Sequence, residues 1–292
     1  MENPETPHTD RPVDRLARWG PLRSLAELWQ PVVRNALERA PALGDVLHGT
    51  PLGHPLHPLL TDVPVGAFTV VAVFDALELG GRGELSDGAD GALALGIVSA
   101  GLAASSGWAD WSQADGDAKS VGMAHAACNG AALAAYVAAL ALRRAGRRQS
   151  GIGLAFLGYT LLGLAGYLGG ELAFGLQEGV RKTAEPVALP DGFRAVLDES
   201  ELPERRPKRV DFGGLPVVLY REGGEIFALS AVCTHSGGPL DAGTVEDGCL
   251  TCPWHGSGFR LTDGAVTRGP ATFPVARYSV RIENGKIALS AG

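Results

Sequence analysis

The hydrophobic positions of the chain fall into three regimes. In residues 21–40, PLRSLAELWQPVVRNALERA, Leu22, Leu25, Leu28, Val32 and Leu37 recur at helical spacing. Arg23 with Glu27 and Arg34 with Glu38 form i,i+4 pairs on the other face. This pattern predicts an amphipathic helix within 21–50, kinked or split at Pro31. Such a helix either packs on its own protein or lies in a membrane interface, with Trp29 and the arginines at headgroup depth. Residues 51–180 hold four apolar runs, at about 59–79, 92–108, 121–142 and 151–170, joined by the polar stretches GGRGELSDGAD, ADWSQADGDAKS and RRAGRRQS. Each run is near the roughly 20 residues that cross a hydrocarbon core. Their Gly, Ala and Ser content suits close helix contact in lipid, and none shows the polar stripe that a helix of a soluble bundle would carry. From 193 the period changes to short alternating runs broken by Gly-rich turns. GLPVVLYREGGEIFALS predicts a hairpin at Gly223-Gly224, and YSVRIENGKIALS another at Asn284-Gly285. Pro186, Pro190 and several charges mark 181–192 as a linker. Residues 1–20, rich in Pro, Asp and Arg, are expected to be disordered, and they contain no apolar h-region of a signal peptide.

Composition sharpens this division. The mean hydropathy is +0.09, high for a soluble chain, and the 292 residues suffice for about two domains. A net charge of −7 argues against a nucleic-acid partner, whose phosphates call for clustered positive charge. The four cysteines are Cys128, Cys233, Cys249 and Cys252. Two of them stand at metal-ligand spacing from histidines, so a disulfide scaffold is not expected. Cys249 reads as a small residue buried on a strand.

The chemistry concentrates in two short segments. Cys233-Thr234-His235 and Cys252-Pro253-Trp254-His255 each pair one thiol with one imidazole, which suits two loops closing over one metal site. Thiolates bind iron strongly, and imidazoles can take the remaining positions. A single Cys₂His₂ zinc is the alternative, although zinc sites usually place like ligands together.

These loops, CTHSGGPLDAG and CPWHGSGFRLTDG, resemble the cluster-binding loops of the Rieske family. The similarity runs over about 205–290, including Gly256, Phe259 and RGPATFPVARYSV, where the family carries a proline-containing loop. The resemblance implies a [2Fe–2S] cluster held by Cys233, His235, Cys252 and His255, with His235 and His255 partly exposed at the domain tip. Rieske proteins of respiratory complexes add a disulfide between the loops. Gly238 and Trp254 stand at those positions here, as in Rieske ferredoxins and the Rieske domains of oxygenases. High-potential members also place a serine and a tyrosine as donors to the cluster. Ser257 matches the serine, whereas Phe259 cannot donate. The resemblance therefore implies a potential inside the roughly −150 to +300 mV range, well below its top.

Residues 53–66, GHPLHPLLTDVPVG, and 166–180, GYLGGELAFGLQEGV, resemble an uncharacterised family of four-span bacterial membrane domains. Four spans put His54, His57, Asp62, Asp110, Trp111, His125 and Glu171 on the face that carries the C-terminal domain. Ionisable groups at span ends are functional candidates. His57 and His125 could ligate a haem b, or His54, His57 and His125 could serve a quinone. The bland reading is capping and interhelical hydrogen bonding. Asp75 lies deep in the first span. The basic residues give no clear orientation. The missing disulfide favours the cytoplasmic face for the cluster domain, while Arg147-Arg148 ahead of the last span is the signature of twin-arginine export.

The expected architecture is a membrane all-α four-helix bundle followed by an all-β Rieske-type sandwich, with 51–180 as the membrane domain and 193–292 as the cluster domain. The expected function is single-electron transfer between a redox partner, a protein or a quinone, and an acceptor. A redox or iron sensor and an anchoring subunit of a larger oxidoreductase are the rivals. A Rieske oxygenase would need a further two-His-one-carboxylate iron domain, for which the thirty-odd residues after His255 leave no room.

Overall fold

The computed structural model describes residues 12–180 and 192–291. They form two compact units: residues 12–40 with 56–178, and residues 41–55 with 179–180 and 192–291. Most of the expected linker, 181–191, and residues 1–11 lie outside the described residues.

The first unit is helical. It contains α1 (Pro12–Ala17) and α2 (Gly20–Glu38), while α3 (Pro41–His48) belongs to the second unit. α4 (Leu56–Leu79), α5 (Ser86–Trp111), α6 (Gly116–Arg144) and α7 (Arg148–Gly170) follow. The last four, two of them lengthened by single turns, are each long and apolar enough to cross a membrane. Their outward residues are apolar: Val73, Leu95, Val98, Leu102, Leu157 and Leu164 are all exposed, as lipid-facing positions should be.

Two expectations for the N-terminal region need correcting. Residues 12–17 are helical, because Val13 and Ala17 bury against a cluster that includes Ala118 and Val121 of α6. The helix predicted within 21–50 is not split at Pro31, which lies inside α2. The break comes at Arg39-Ala40, ahead of Pro41. The Arg23–Glu27 pair forms at 3.2 Å, but Arg34 turns away from Glu38 to donate to the Ser112 carbonyl at 2.8 Å. Gln30 is buried and donates to the carbonyls of Trp111 and Ala114. One side of α2 is thus fixed to the bundle, while Leu25, Leu28, Trp29 and Val32 stay exposed.

The bundle core repeats itself. His57, Phe68 and Asp75 of α4 stand 68 positions before His125, Tyr136 and Arg143 of α6, and each meets its counterpart. The two histidine rings are edge-on at 6.4 Å. Phe68 and Tyr136 stack at 3.7 Å with their planes 4° apart. Asp75 and Arg143 form an ion pair with both side chains fully buried. The facing helices follow suit: Gly96, Ala103 and Gly107 of α5 recur 62 positions later as Gly158, Ala165 and Gly169 of α7. A Cβ on Gly96 would fall 2.5–3.0 Å from the Phe68 ring, and one on Gly158 would fall 3.0–3.2 Å from the Tyr136 ring. The α4/α5 and α6/α7 hairpins thus place equivalent positions against one another across the bundle.

The charged layer extends from the Asp75–Arg143 pair. Arg143 also reaches Asp90 at 2.9 Å, and Arg148 binds Glu78 at 2.5 and 2.6 Å and Asp90 at 3.1 Å. Two of the four arginines in 143–148 are therefore neutralised inside the fold and add little to a count of topogenic charge.

The second unit is mainly β. Its strands are β1 (Arg194–Asp198), β2 (Lys208–Phe212), β3 (Leu215–Glu222), β4 (Glu225–Ser230), β5 (Thr244–Glu246), β6 (Cys249–Thr251), β7 (Gly258–Arg260), β8 (Val266–Arg268), β9 (Tyr278–Glu283) and β10 (Lys286–Ala291). They make three antiparallel sheets, β1-β10-β9, β2-β3-β4 and β5-β6-β7-β8. Both expected hairpins form. Gly223 and Gly224 have φ of 61° and 86°, and Asn284 and Gly285 have φ of 51° and 73°, the left-handed pair that a two-residue turn requires. β3 is buried on both faces. Val217 and Leu219 join one core with Ile287 and Leu289, while Val218 and Tyr220 join another with Leu250, Phe259, Cys233 and Cys252. The central sheet therefore separates the β9/β10 layer from the layer that carries the two loops.

The buried ion pair gives a stability test. Asp75→Ala leaves the buried Arg143 guanidinium with Asp90 as its one remaining carboxylate partner, a loss of up to about 3–5 kcal/mol, seen as a lower melting temperature in detergent. The double variant Asp75→Leu/Arg143→Met should recover most of that loss. Equal destabilisation of the single and double variants would show that packing, and not charge pairing, was lost.

Candidate metal centre

Two loops with one backbone form build the centre. In the loop after β4, the Cys233 N–H donates to the Gly238 carbonyl and the Gly237 N–H returns to the Cys233 carbonyl, both at 2.9 Å. In the loop between β6 and β7, the Cys252 N–H donates to the Ser257 carbonyl at 2.8 Å and the Gly256 N–H to the Cys252 carbonyl at 3.1 Å. Gly237 and Gly256 both sit at φ 76°, a left-handed conformation that strains residues bearing a Cβ. Each turn points one cysteine inward and lets one histidine reach the same end.

The four side chains fall into like pairs. Cys233 and Cys252 are buried, reduced and in hydrogen-bonding contact. The contact with Cys233 holds the Cys252 thiol below the usual thiol range. Cys233 is pushed up, because it is the donor in that bond, is buried and faces a thiolate. His235 and His255 are half-buried with ring centroids 5.0 Å apart, close enough for both rings to bind one metal ion. Among the described residues, no three His, Cys, Asp or Glu side chains converge on one metal position. Two thiols beside two imidazoles suit a two-iron cluster better than a single zinc shell.

The surroundings are tightly set. A Cβ on Gly238 would lie 2.8 Å from the Cys252 sulfur and 3.1–3.2 Å from the Trp254 ring. The two positions that would carry the inter-loop disulfide are thus neighbours, occupied by a glycine and the indole over it. Trp254 is 56% exposed beside His255. Ser257 is fully buried, and its Oγ accepts the Ala271 N–H at 3.0 Å. That bond uses a lone pair and leaves the hydroxyl proton to be donated elsewhere. Phe259 is fully buried in the core that holds both cysteines. Cys249 is only half-buried on β6, with its sulfur 2.9 Å from the Thr267 hydroxyl.

The structure also places the membrane histidines. His57 and His125 come together, and both rings are anchored alike. Nδ1 of His57 lies 2.8 Å from the Ala103 carbonyl, and Nδ1 of His125 lies 2.8 Å from the Ala165 carbonyl. Gly107 and Gly169 leave room for the two rings. A carbonyl can only accept, so each Nδ1 carries a proton and donates. Asn129 Nδ2 lies 3.1 Å from His125 Nε2. His54 is not part of this pair. It lies on the 41–55 segment of the second unit, with Nδ1 3.1 Å from the Pro55 carbonyl.

Comparison with known proteins agrees with this division. Residues 193–279 match the Rieske [2Fe-2S] domain, and residues 53–182 match "Predicted membrane protein (DUF2231)". The anthranilate 1,2-dioxygenase ferredoxin subunit of Burkholderia cepacia is 36% identical over 92 residues, which cover 32% of this chain and 85% of that one. Ferredoxin CarAc of Metapseudomonas resinovorans is 32% identical over 86 residues, 30% of this chain and 78% of that one. The cytochrome b6-f complex iron-sulfur subunit of Chlorobaculum tepidum is 35% identical over 96 residues, 33% of this chain and 52% of that one. Among solved structures, the ferredoxin of carbazole 1,9a-dioxygenase from Nocardioides aromaticivorans IC177 is 27% identical. It matches with a TM-score of 0.34 over 35% of this chain and 100% of that one.

A β domain with two thiol–imidazole loops is an iron–sulfur electron-transfer domain of ferredoxin type, here attached to a predicted membrane domain with four helices long and apolar enough to cross a bilayer. Through that domain the chain belongs to the Rieske [2Fe–2S] family. A haem at His57 and His125 finds no support in these matches. The Nε2 atom that an iron would need on His125 is in hydrogen-bond reach of Asn129.

Gly238→Ala tests the packing of the loops. The new methyl pushes on the Cys252 sulfur and the indole, at a cost of about 1–3 kcal/mol. Iron per chain should fall, and the melting temperature of the cluster domain should fall with it. Full iron content and unchanged melting would mean that the loops open easily around position 238.

Proposed function

We propose that this protein is a membrane-anchored electron carrier whose [2Fe–2S] cluster is held by Cys233 and Cys252 at one iron and His235 and His255 at the other. The observation that carries the reading is the segregation of buried thiols from half-exposed imidazoles. When bound, the cluster supplies a one-electron couple. The thiol side is buried in the core, and the imidazole side faces the exterior beside the exposed Trp254. A partner protein docks at that tip, where the histidines give the shortest path for an electron. Purified full-length protein should contain two irons and two acid-labile sulfides per chain, and His255→Ala should lose the Rieske EPR signal. A stoichiometric zinc content without sulfide would overturn the assignment.

Ser257 is proposed as the hydroxyl donor to the cluster. Such a bond favours the more negative, reduced state and raises the potential. A net contribution of roughly 1–2 kcal/mol corresponds to about 40–90 mV for one electron. Ser257→Ala should therefore lower the potential by that order in a redox titration of the full-length protein. An unchanged potential would place the hydroxyl away from the cluster.

The paired membrane histidines favour a quinone as the lipid-side partner. With each Nδ1 turned to a backbone carbonyl, Nε2 of His57 is left for a hydroquinone hydroxyl, while Nε2 of His125 is shared with the Asn129 amide. His57→Ala and His125→Ala should slow reduction of the cluster by quinol, with iron content unchanged. Unaltered kinetics in both variants would leave these side chains a purely interhelical role.

A further inference from the structure

Residues 41–52 lie outside both family matches, which cover 53–182 and 193–279. They nonetheless belong to the compact unit that carries the cluster loops. α3 and the turn after it run along one end of the segment 269–275. Asp45 Oδ1 accepts the Gly269 N–H at 2.7 Å, across 224 positions of sequence. The fit is close. A Cβ on Gly269 would fall 2.6 Å from Thr50 Oγ1 and 3.1 Å from Asp45 Oδ1. His48, on the same face, is buried, and so is Thr272 opposite.

The segment 269–275 is in turn tied at every second residue. Gly269 is held by Asp45, and the Ala271 N–H is held by Ser257 Oγ at 3.0 Å. The Phe273 carbonyl accepts from Thr234 Oγ1 at 2.6 Å, and the Val275 N–H donates to the Gly264 carbonyl at 3.0 Å. Thr234 lies between the ligand positions of the first loop, and Ser257 follows those of the second. One continuous segment therefore touches both ligand loops, and its upstream end is fixed by a carboxylate from a remote part of the chain.

We propose that residues 41–55 are an integral strap of the cluster domain and that Asp45 is a positioning residue for the cluster. It holds Gly269, so that the Ala271 N–H keeps the Ser257 hydroxyl aimed at the cluster. The inference rests on the cluster assignment above and extends it to Asp45 and the rest of 41–52, which neither family match covers. It also means that a fragment beginning at the β domain lacks part of its own fold. The tests therefore use the full-length protein.

Asp45→Ala should lower the reduction potential and broaden the EPR spectrum, while iron content stays near that of the parent. Asp45→Asn keeps an acceptor oxygen without the charge and should restore both. If the carboxylate acted only through its charge, both variants would raise the potential equally, which would overturn the proposal. In the Ser257→Ala background, Asp45→Ala should add little to the shift, because the two residues act through one hydroxyl. Fully additive shifts would also overturn it. Should Asp45→Ala fail to hold iron, hydrogen exchange of the parent protein decides: the peptide spanning Gly269 and Ala271 should be protected, and rapid exchange there contradicts the strap. Failure of the cluster assignment itself would show differently, as a parent protein with no Rieske signal.

Discussion

The cluster domain depends on one backbone device used twice. A Cys–Gly turn closed by two reciprocal hydrogen bonds recurs at 233–238 and 252–257. Its left-handed glycine turns the chain back under the sulfur, so that both thiols meet inside the core while both imidazoles stay near the exterior. This division sets what the domain can do. A cluster held there would have its thiolate side confined in the core and its imidazole side open to a partner. Gly238 follows from the same geometry, since nothing larger fits between the Cys252 sulfur and the indole of Trp254.

The membrane domain obeys a different constraint. In hydrocarbon the apolar effect does not drive helices together, so packing and internal pairing must do so. The structure meets this with three paired layers in the α4/α6 interior: imidazole with imidazole, phenyl with phenol, and carboxylate with guanidinium. Glycines on α5 and α7 make room for the first two layers. A charge in the bundle core is tolerable because its opposite stands at the equivalent position of the other hairpin.

Much of this was legible in the sequence, for reasons that show why the rest was not. The Cys-x-His and Cys-x-x-His loops, the four apolar runs and the hairpins at Gly223-Gly224 and Asn284-Gly285 are local signals, fixed by spacing or by φ. The pairing of the two hairpins is hard to see because only the histidine layer repeats in residue type, while in the other two Phe68 matches Tyr136 and Asp75 matches Arg143. The strap was invisible for a different reason. Asp45 reads as one more surface carboxylate on an amphipathic helix until the fold brings Gly269 to it. The helix at 12–17 was missed because a Pro-, Asp- and Arg-rich composition outweighed the two small apolar residues, Val13 and Ala17, that the bundle buries.

The central claim is that one iron of the cluster carries two imidazoles. Pulsed EPR on reduced, detergent-purified full-length protein labelled with nitrogen-15 in histidine tests it most directly. The account predicts strong couplings from two histidine nitrogens at one iron, reduced to one in His235→Ala if that variant keeps a cluster. A cluster signal with no directly coupled histidine nitrogen would contradict it.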